Sequence, residues 1–168
     1  MKNRFHALDP NLFWGVLILI GLGTLTLFSA ARNTPQATIW LKQSLWNALG
    51  ILAMLLLASW NPSRLFRFSL PAYFLGLAAL AAVLVVGRKI GGSTRWFMIA
   101  GQTFQPSELM KWVTLLFVSH RLGSRGPGDL GRLDLWGAVG LVIFPMLLVL
   151  RQPDLGMALS FLPILLLI

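Results

Sequence analysis

Long uncharged apolar runs alternate along the chain with short segments that are basic or contain Pro and Gly. An apolar helix of about 20 residues, at about 1.5 Å per residue, crosses a hydrocarbon core of about 30 Å. The pattern therefore predicts an all-α, polytopic helical membrane protein with about six spans. The predicted spans cover residues 12–31, 45–60, 70–86, 109–120, 135–150 and 155–168.

Three details qualify this pattern. The Asn-Pro pair in residues 61–64 predicts a short loop between the second and third spans. Lys111 interrupts the fourth span, which makes it the weakest. The sixth run stays apolar as far as Ile168, with no polar cap or basic anchor. We therefore expect residues 1–168 to be one transmembrane domain that forms the N-terminal part of a longer protein.

The composition supports this class and excludes several others. Apolar residues make up 57% of the chain and charged residues 11%, against roughly 45 to 50% and about 25% in soluble domains. The absence of cysteine excludes disulfides and a cysteine nucleophile, and the two histidines have no metal-ligand spacing. The five acidic residues leave a carboxylate-bound divalent cation open, but no cofactor is indicated.

The net charge of +9 raises the question of the partner. The basic residues stand singly or in pairs at the ends of apolar runs, which favours membrane lipids or an anionic lipid-linked substrate and no nucleic acid. Lys2 and Arg4 precede the first span and only Arg32 follows it closely, so we expect the N-terminus to lie inside. Residues 90–94 then lie outside and residues 124–128 inside.

Candidate chemistry begins in residues 87–111, where a Gly-rich basic loop and an apolar patch lead into a helix. Pro106 suits the first helical position, and Glu108 then meets unpaired N–H groups at the positive end of the helix. Lys111, three residues later, shares a face with Glu108 and can form an ion pair. A purely structural cap with a snorkelling lysine is the alternative, but ionisable residues inside membrane helices are expensive to keep and favour a function.

Residues 151–156 repeat this arrangement. Gln152 and Pro153 are expected to open a helix, with Asp154 in its first turn. If both helices start on the same face, Glu108 and Asp154 come near one another, and Arg95 adds the cation that an anionic headgroup needs. The alternative is that each motif is only an ordinary helix start, since each alone is weak.

Together these motifs resemble the signature of the SEDS family (shape, elongation, division and sporulation). The first helix is similar as well, so the resemblance covers essentially the whole chain. Ser107 and the loop before Arg95 favour the RodA branch of the family over the FtsW branch. The matching segments are Arg95-Trp96, Gln105-Pro106-Ser107-Glu108 with Lys111, and Gln152-Pro153-Asp154-Leu155-Gly156.

The resemblance implies a multi-pass protein of the bacterial inner membrane, a peptidoglycan glycosyltransferase that polymerises lipid II during cell elongation with a class B penicillin-binding protein. Such a transfer needs a carboxylate base and a positively charged clamp on the diphosphate leaving group. The family's catalytic aspartate is expected beyond residue 168, so the resemblance implies no catalytic residue here and an inactive isolated chain. The residues it assigns to the substrate cavity or its support are Arg95, Gln105, Pro106, Ser107, Glu108, Lys111, Gln152 and Asp154.

Three other interpretations stay open at this point. A flippase or transporter of the lipid-linked precursor also places polar residues inside a helical bundle. A division-type FtsW homologue shares the same motifs. A non-catalytic scaffold for a partner synthase predicts that Glu108 and Lys111 tolerate neutral substitution.

Overall fold

The computed structural model describes residues 9–32, 38–90, 92–99, 101–126 and 128–168. Of these described residues 76% are helical, which confirms the all-α class in spite of one small sheet. The described helices are α1 (Pro10–Ala31), α2 (Ile39–Ser59), α3 (Pro62–Val86), α4 (Pro106–Gly123), α5 (Arg132–Leu150), α6 (Leu155–Leu159) and α7 (Leu162–Leu166); the strands are β1 (Arg88–Ile90), β2 (Ser93–Ile99) and β3 (Gln102–Phe104).

Four helices, α1, α2, α3 and α5, are long and apolar enough to cross a membrane. The chain is therefore a multi-pass helical membrane protein. Helix α4, which contains Glu108 and Lys111, is not among these four. Lys2 and Arg4, on which the predicted orientation depends, lie outside the described residues.

The helices extend beyond the apolar segments that predicted them. Helix α2 begins at Ile39 and not near residue 45, and α3 begins at Pro62 and not near residue 70. The predicted short loop is present but is limited to residues 60–61, because Ser63 and Arg64 lie in the first turn of α3. Proline has a φ suited to the first helical position, so Pro62 starts the helix at once.

The last apolar run is not one continuous helix. Helix α6 ends at Leu159 and α7 begins at Leu162. Pro163 has no N–H to donate to the carbonyl of Leu159, so the α-helical hydrogen bond is missing at that position. The Ser160 hydroxyl donates to the carbonyl of Met157 at 2.6 Å, which satisfies a carbonyl beside the break.

The chain divides into two compact units, Met1–Asn61 and Pro62–Ile168. Unit 1 contains α1 and α2, which are joined by a polar contact between two apolar surfaces. The Asn47 side-chain amide donates to Thr24 Oγ1 at 3.1 Å, and Gln43 donates to Asn47 at 3.0 Å. Interhelical hydrogen bonds of this kind stabilise membrane helix pairs by about 0.6 kcal/mol on average.

Unit 2 is built on α3, α4 and α5. Leu80, Met110 and Val142, one from each helix, are fully buried in a common core. The Tyr73 hydroxyl of α3 donates to the carbonyl of Leu141 in α5 at 2.8 Å. Phe66 near the start of α3 stacks on His120 near the end of α4, so these two helices run in opposite directions.

A three-stranded antiparallel sheet, ordered β1-β2-β3, connects α3 to α4. The sequence analysis predicted only a loop and an apolar patch there, so it missed the sheet. Gly92 and Gly101 lie in the two turns with φ of 86° and 78°, a conformation that favours glycine. Gly87 joins the sheet to α3, and a Cβ there would collide with the carbonyl oxygen of Val83.

Candidate functional site

The site is centred on the carboxylate of Asp154. Its Oδ2 lies 2.8 Å from Arg95 Nη1 and accepts a hydrogen bond from Gln105 Nε2 at 3.0 Å. The Asp154 side chain is 11% exposed and that of Arg95 31%. One residue from each of the three sequence motifs therefore meets at a single carboxylate, which we call the Asp154 cluster (Arg95, Gln105 and Asp154).

Each residue of the Asp154 cluster occupies a defined position in its element. Arg95 lies in β2, Gln105 is the N-cap of α4, and Pro106 opens that helix as predicted. Asp154 is the N-cap of α6, where its Oδ1 accepts from the Met157 N–H at 3.1 Å. The expected helix opening at Gln152 and Pro153 is therefore wrong by two residues, because the Asp154 carboxylate serves as cap and not as a first-turn acid.

Gln152 attaches the cluster to the helix core. It is fully buried, and its Nε2 donates to the carbonyl of Leu80 in α3 at 3.2 Å. Ser107, also fully buried, lies two residues after Gln105 at the start of α4. The sequence placed both residues in the site, but it gave no sign that Leu80 would be the partner of Gln152.

Several buried polar atoms of these residues have no hydrogen-bond partner in the described part of the chain. They are Arg95 Nε, Ser107 Oγ and Gln152 Oε1. A buried unsatisfied polar group typically costs about 1 to 3 kcal/mol, and native proteins keep few of them without a water, ion or ligand to satisfy them. Arg95 Nε and Ser107 Oγ are thus potential donors, and Gln152 Oε1 is a potential acceptor, that no described residue engages.

The predicted ion pair on α4 is present. Lys111 Nζ lies 3.3 Å from Glu108 Oε2, and it also lies 5.7 Å from the ring centre of Trp112. The Lys111 side chain is 22% exposed and that of Glu108 54%. Glu108 and Asp154 thus take different cationic partners, while the hydrogen bond from Gln105 to Asp154 brings the start of α4 to the start of α6.

The described residues contain no group of three His, Cys, Asp or Glu side chains able to hold a metal ion. Magnesium sites often use only one or two carboxylates together with substrate phosphates. A divalent cation therefore stays a prediction from the sequence, with Glu108 as the more exposed carboxylate.

The chemistry available to the cluster is recognition of an anion. Arg95 carries five N–H donors, of which Asp154 engages one at Nη1. Asp154 itself already accepts from Arg95, Gln105 and Met157, so its role in the cluster is to orient these groups. A guanidinium held in this way is preorganised for phosphate oxygens.

Comparison with known proteins identifies the family. Residues 8–168 match the model of the FtsW, RodA and SpoVE family, described as cell cycle protein. The chain belongs to this family, as the resemblance to SEDS proteins predicted.

Named relatives include both branches. The chain is 31% identical to the peptidoglycan glycosyltransferase RodA of Treponema pallidum, over 93% of this chain and 36% of that protein. It is 28% identical to the probable peptidoglycan glycosyltransferase FtsW of Thiomonas intermedia, over 92% of this chain and 41% of that protein.

Solved structures agree on the fold. The rod shape determining protein RodA of Thermus thermophilus matches with a TM-score of 0.80 and 36% identity, over 92% of this chain and 50% of that one. A chain from a peptidoglycan synthase complex, studied for the coordination of polymerization and crosslinking, matches with a TM-score of 0.79 and 37% identity, over 92% of this chain and 44% of that one. The chain therefore spans half or less of each of these proteins.

Proposed function

We propose that the protein containing this chain is a peptidoglycan glycosyltransferase of the bacterial inner membrane that polymerises lipid II, and that it is of the RodA type. The observation that carries the proposal is the Asp154 cluster, in which Arg95, Gln105 and Asp154 from three distant motifs form one polar site. The RodA relative is 31% identical, against 28% and 29% for FtsW relatives matched over similar lengths, and this small difference supports the RodA type.

The reaction transfers a glycosyl group. The 4-hydroxyl of an acceptor sugar forms a bond to the anomeric carbon of the donor, the bond from that carbon to the diphosphate breaks, and the hydroxyl proton passes to a base. The resemblance assigns that base to an aspartate beyond residue 168. Charge develops on the leaving diphosphate, so cations fixed near it lower the barrier.

We assign the residues of this chain to the diphosphate. Arg95 supplies donors to its oxygens, while Asp154 and Gln105 hold the guanidinium in place. Lys111 supplies a second cation, and the partner carboxylate Glu108 fixes its position. Ser107 and Gln152, whose buried oxygen atoms have no partner in the described residues, provide further polar contacts, and Pro106 sets the start of the helix that carries Ser107.

A class B penicillin-binding protein is the proposed partner, because the product strands require crosslinking. The similarity to a chain of a peptidoglycan synthase complex that joins polymerization to crosslinking supports this partner.

The test uses the full-length protein, purified with its partner and supplied with lipid II. Glycan strands resolved on a gel are the expected product, and Arg95→Gln should reduce them strongly. Arg95→Lys, which keeps the charge but loses the fork of donors, should recover only part of the activity. Arg32→Gln at the exposed C-cap of α1 is the matched control and should keep normal activity.

Two results would overturn the proposal. One is movement of lipid II across vesicle membranes by the full-length protein without any polymer, which assigns a transporter. The other is normal polymerisation by Arg95→Gln at equal protein abundance, which removes the Asp154 cluster from the site.

A further inference from the structure

The end of unit 2 opposite the Asp154 cluster is strongly basic. Helix α3 starts there, α4 ends there and α5 starts there, as shown by two contacts. Phe66 stacks on His120 with ring centres 5.1 Å apart, and Arg125 Nη2 lies 2.9 Å from Asp134 Oδ1. We call this surface the arginine end; its arginines are Arg64, Arg67, Arg121, Arg125 and Arg132.

Most of these cations have no acidic partner. Asp134 is engaged by Arg125 and by the backbone N–H of Gly131. Among the described residues, Arg64, Arg67, Arg121 and Arg132 form no ion pair, and all four are exposed. Arg121 Nη2 lies 3.7 Å from the position that a Cβ of Gly137 would take, so this guanidinium extends over the first turns of α5.

The surroundings of the arginines are apolar and exposed. Phe68 in α3 is 65% exposed, and Leu133 and Trp136 in α5 are 87% and 71% exposed. A surface that alternates guanidinium groups with exposed aromatic and aliphatic side chains at the ends of membrane helices matches the headgroup and upper acyl region of a bilayer. An acidic protein segment would satisfy the charges but leave these apolar groups uncovered.

We infer that the arginine end is a binding site for anionic phospholipid, with the lipid phosphate between the guanidinium groups of Arg64, Arg67, Arg121 and Arg132 and the acyl chains along Phe68, Leu133 and Trp136. The positive N-terminal ends of α3 and α5 add to the same field. This site lies apart from the proposed glycosyltransferase centre and does not depend on it.

The experiment measures lipid selectivity of the purified full-length protein in detergent by native mass spectrometry. Phosphatidylglycerol and phosphatidylcholine of equal chain length are supplied together, and the retained lipid is counted. We expect a preference for phosphatidylglycerol of roughly tenfold or more, since each basic residue near an anionic surface strengthens the attraction. The combined change Arg64→Gln, Arg67→Gln, Arg121→Gln and Arg132→Gln should reduce the preference to about threefold or less.

Two smaller variants keep the test decisive if the fourfold variant does not fold. Each double variant should lose part of the preference for phosphatidylglycerol. One combines Arg64→Gln with Arg67→Gln, and the other combines Arg121→Gln with Arg132→Gln. Arg88→Gln with Lys89→Gln removes the same charge from exposed residues of β1 and should leave the preference unchanged.

Three results would overturn the inference. Equal retention of both lipids by the parent protein removes the site. An equal loss in the Arg88 and Lys89 control variant reduces the effect to total charge. The third result concerns the thermal stability of the full-length protein. If inorganic phosphate raises it as much as phosphatidylglycerol does, the surface binds a free anion, and if a polyglutamate peptide does so, it binds an acidic protein.

Discussion

The ion pair between Arg95 and Asp154, with Nη1 and Oδ2 2.8 Å apart, joins the small sheet to the start of α6. Because Asp154 is 11% exposed and Arg95 31%, the pair is partly shielded from water. Its attraction is therefore stronger than that of a surface pair, for which about 0 to 1 kcal/mol is typical. The same carboxylate caps α6, so two elements of unit 2 depend on one side chain.

This relationship predicts energetic coupling between the two residues. Asp154→Asn keeps a good N-cap but removes the charge, and Arg95→Gln removes the cation. We expect each single variant of the full-length protein to unfold at a lower temperature, and the double variant to be more stable than the sum of the two losses by about 1 kcal/mol. Thermal unfolding in detergent measures the cycle, and additivity within about 0.3 kcal/mol would show that the pair contributes no coupling.

A second prediction concerns Gly87, where α3 meets the sheet. A Cβ there would collide with the backbone oxygen of Val83 and lie 3.0 Å from Thr94 Cγ2. Since a backbone atom cannot rotate away, Gly87→Ala should destabilise the protein by about 1 to 3 kcal/mol. Gly140→Ala in α5, where no atom lies within 4 Å, is the control and should be neutral or stabilising by up to about 1 kcal/mol. Equal melting temperatures for the two variants would contradict this packing.

The hydrophobic pattern was sufficient to predict the helical class, since long apolar runs have few other structures available in a membrane. It misplaced the starts of α2 and α3 because polar residues such as Lys42 and Arg64 continue a helix as readily as apolar ones. It missed the sheet because the strands have three to seven residues. The Gly-Gly pair at residues 91–92 was the available signal, as such pairs favour tight hairpins.

In the candidate site too, some contacts could be predicted from the sequence and others could not. The pair of Glu108 and Lys111 was predictable, because the 3.6-residue turn of a helix fixes which side chains are neighbours. The partners of Asp154 were not, because Arg95 and Gln105 reach it through the turns of the sheet and the path of α4 and α5. Motif spacing thus found the residues of the Asp154 cluster but not the contacts among them.

A third prediction tests the membrane orientation, which depends on the bias of basic residues around the first helix. The chain has no cysteine, so single cysteines can be introduced without background. Lys89 in β1 and Ser124 at the C-cap of α4 are both exposed and lie on either side of α4 in the chain. In intact cells lacking an outer membrane barrier, Lys89→Cys should react with an impermeant maleimide, and Ser124→Cys should react only after permeabilisation. The reverse pattern would invert the orientation.

The last prediction separates a structural from a functional role for Glu108 and Lys111. Lys111 is 22% exposed and Glu108 54%, so removing Glu108 strands a largely buried ammonium, whereas removing Lys111 leaves a carboxylate that reaches water. We therefore expect Glu108→Gln to lower the abundance of the full-length protein about two- to threefold and Lys111→Met to lower it less.

Combining Glu108→Gln with Lys111→Met removes the stranded charge and should restore abundance. Polymer output from lipid II should stay low in all three variants, because restored folding does not replace a cation on the diphosphate. Lys42→Met at an exposed site of α2 removes a membrane-helix lysine outside the Glu108 and Lys111 pair and should behave like the parent. If the double variant recovers both abundance and polymer output, the pair of Glu108 and Lys111 is structural. If both single variants have the abundance and activity of the parent, the pair lies outside the site.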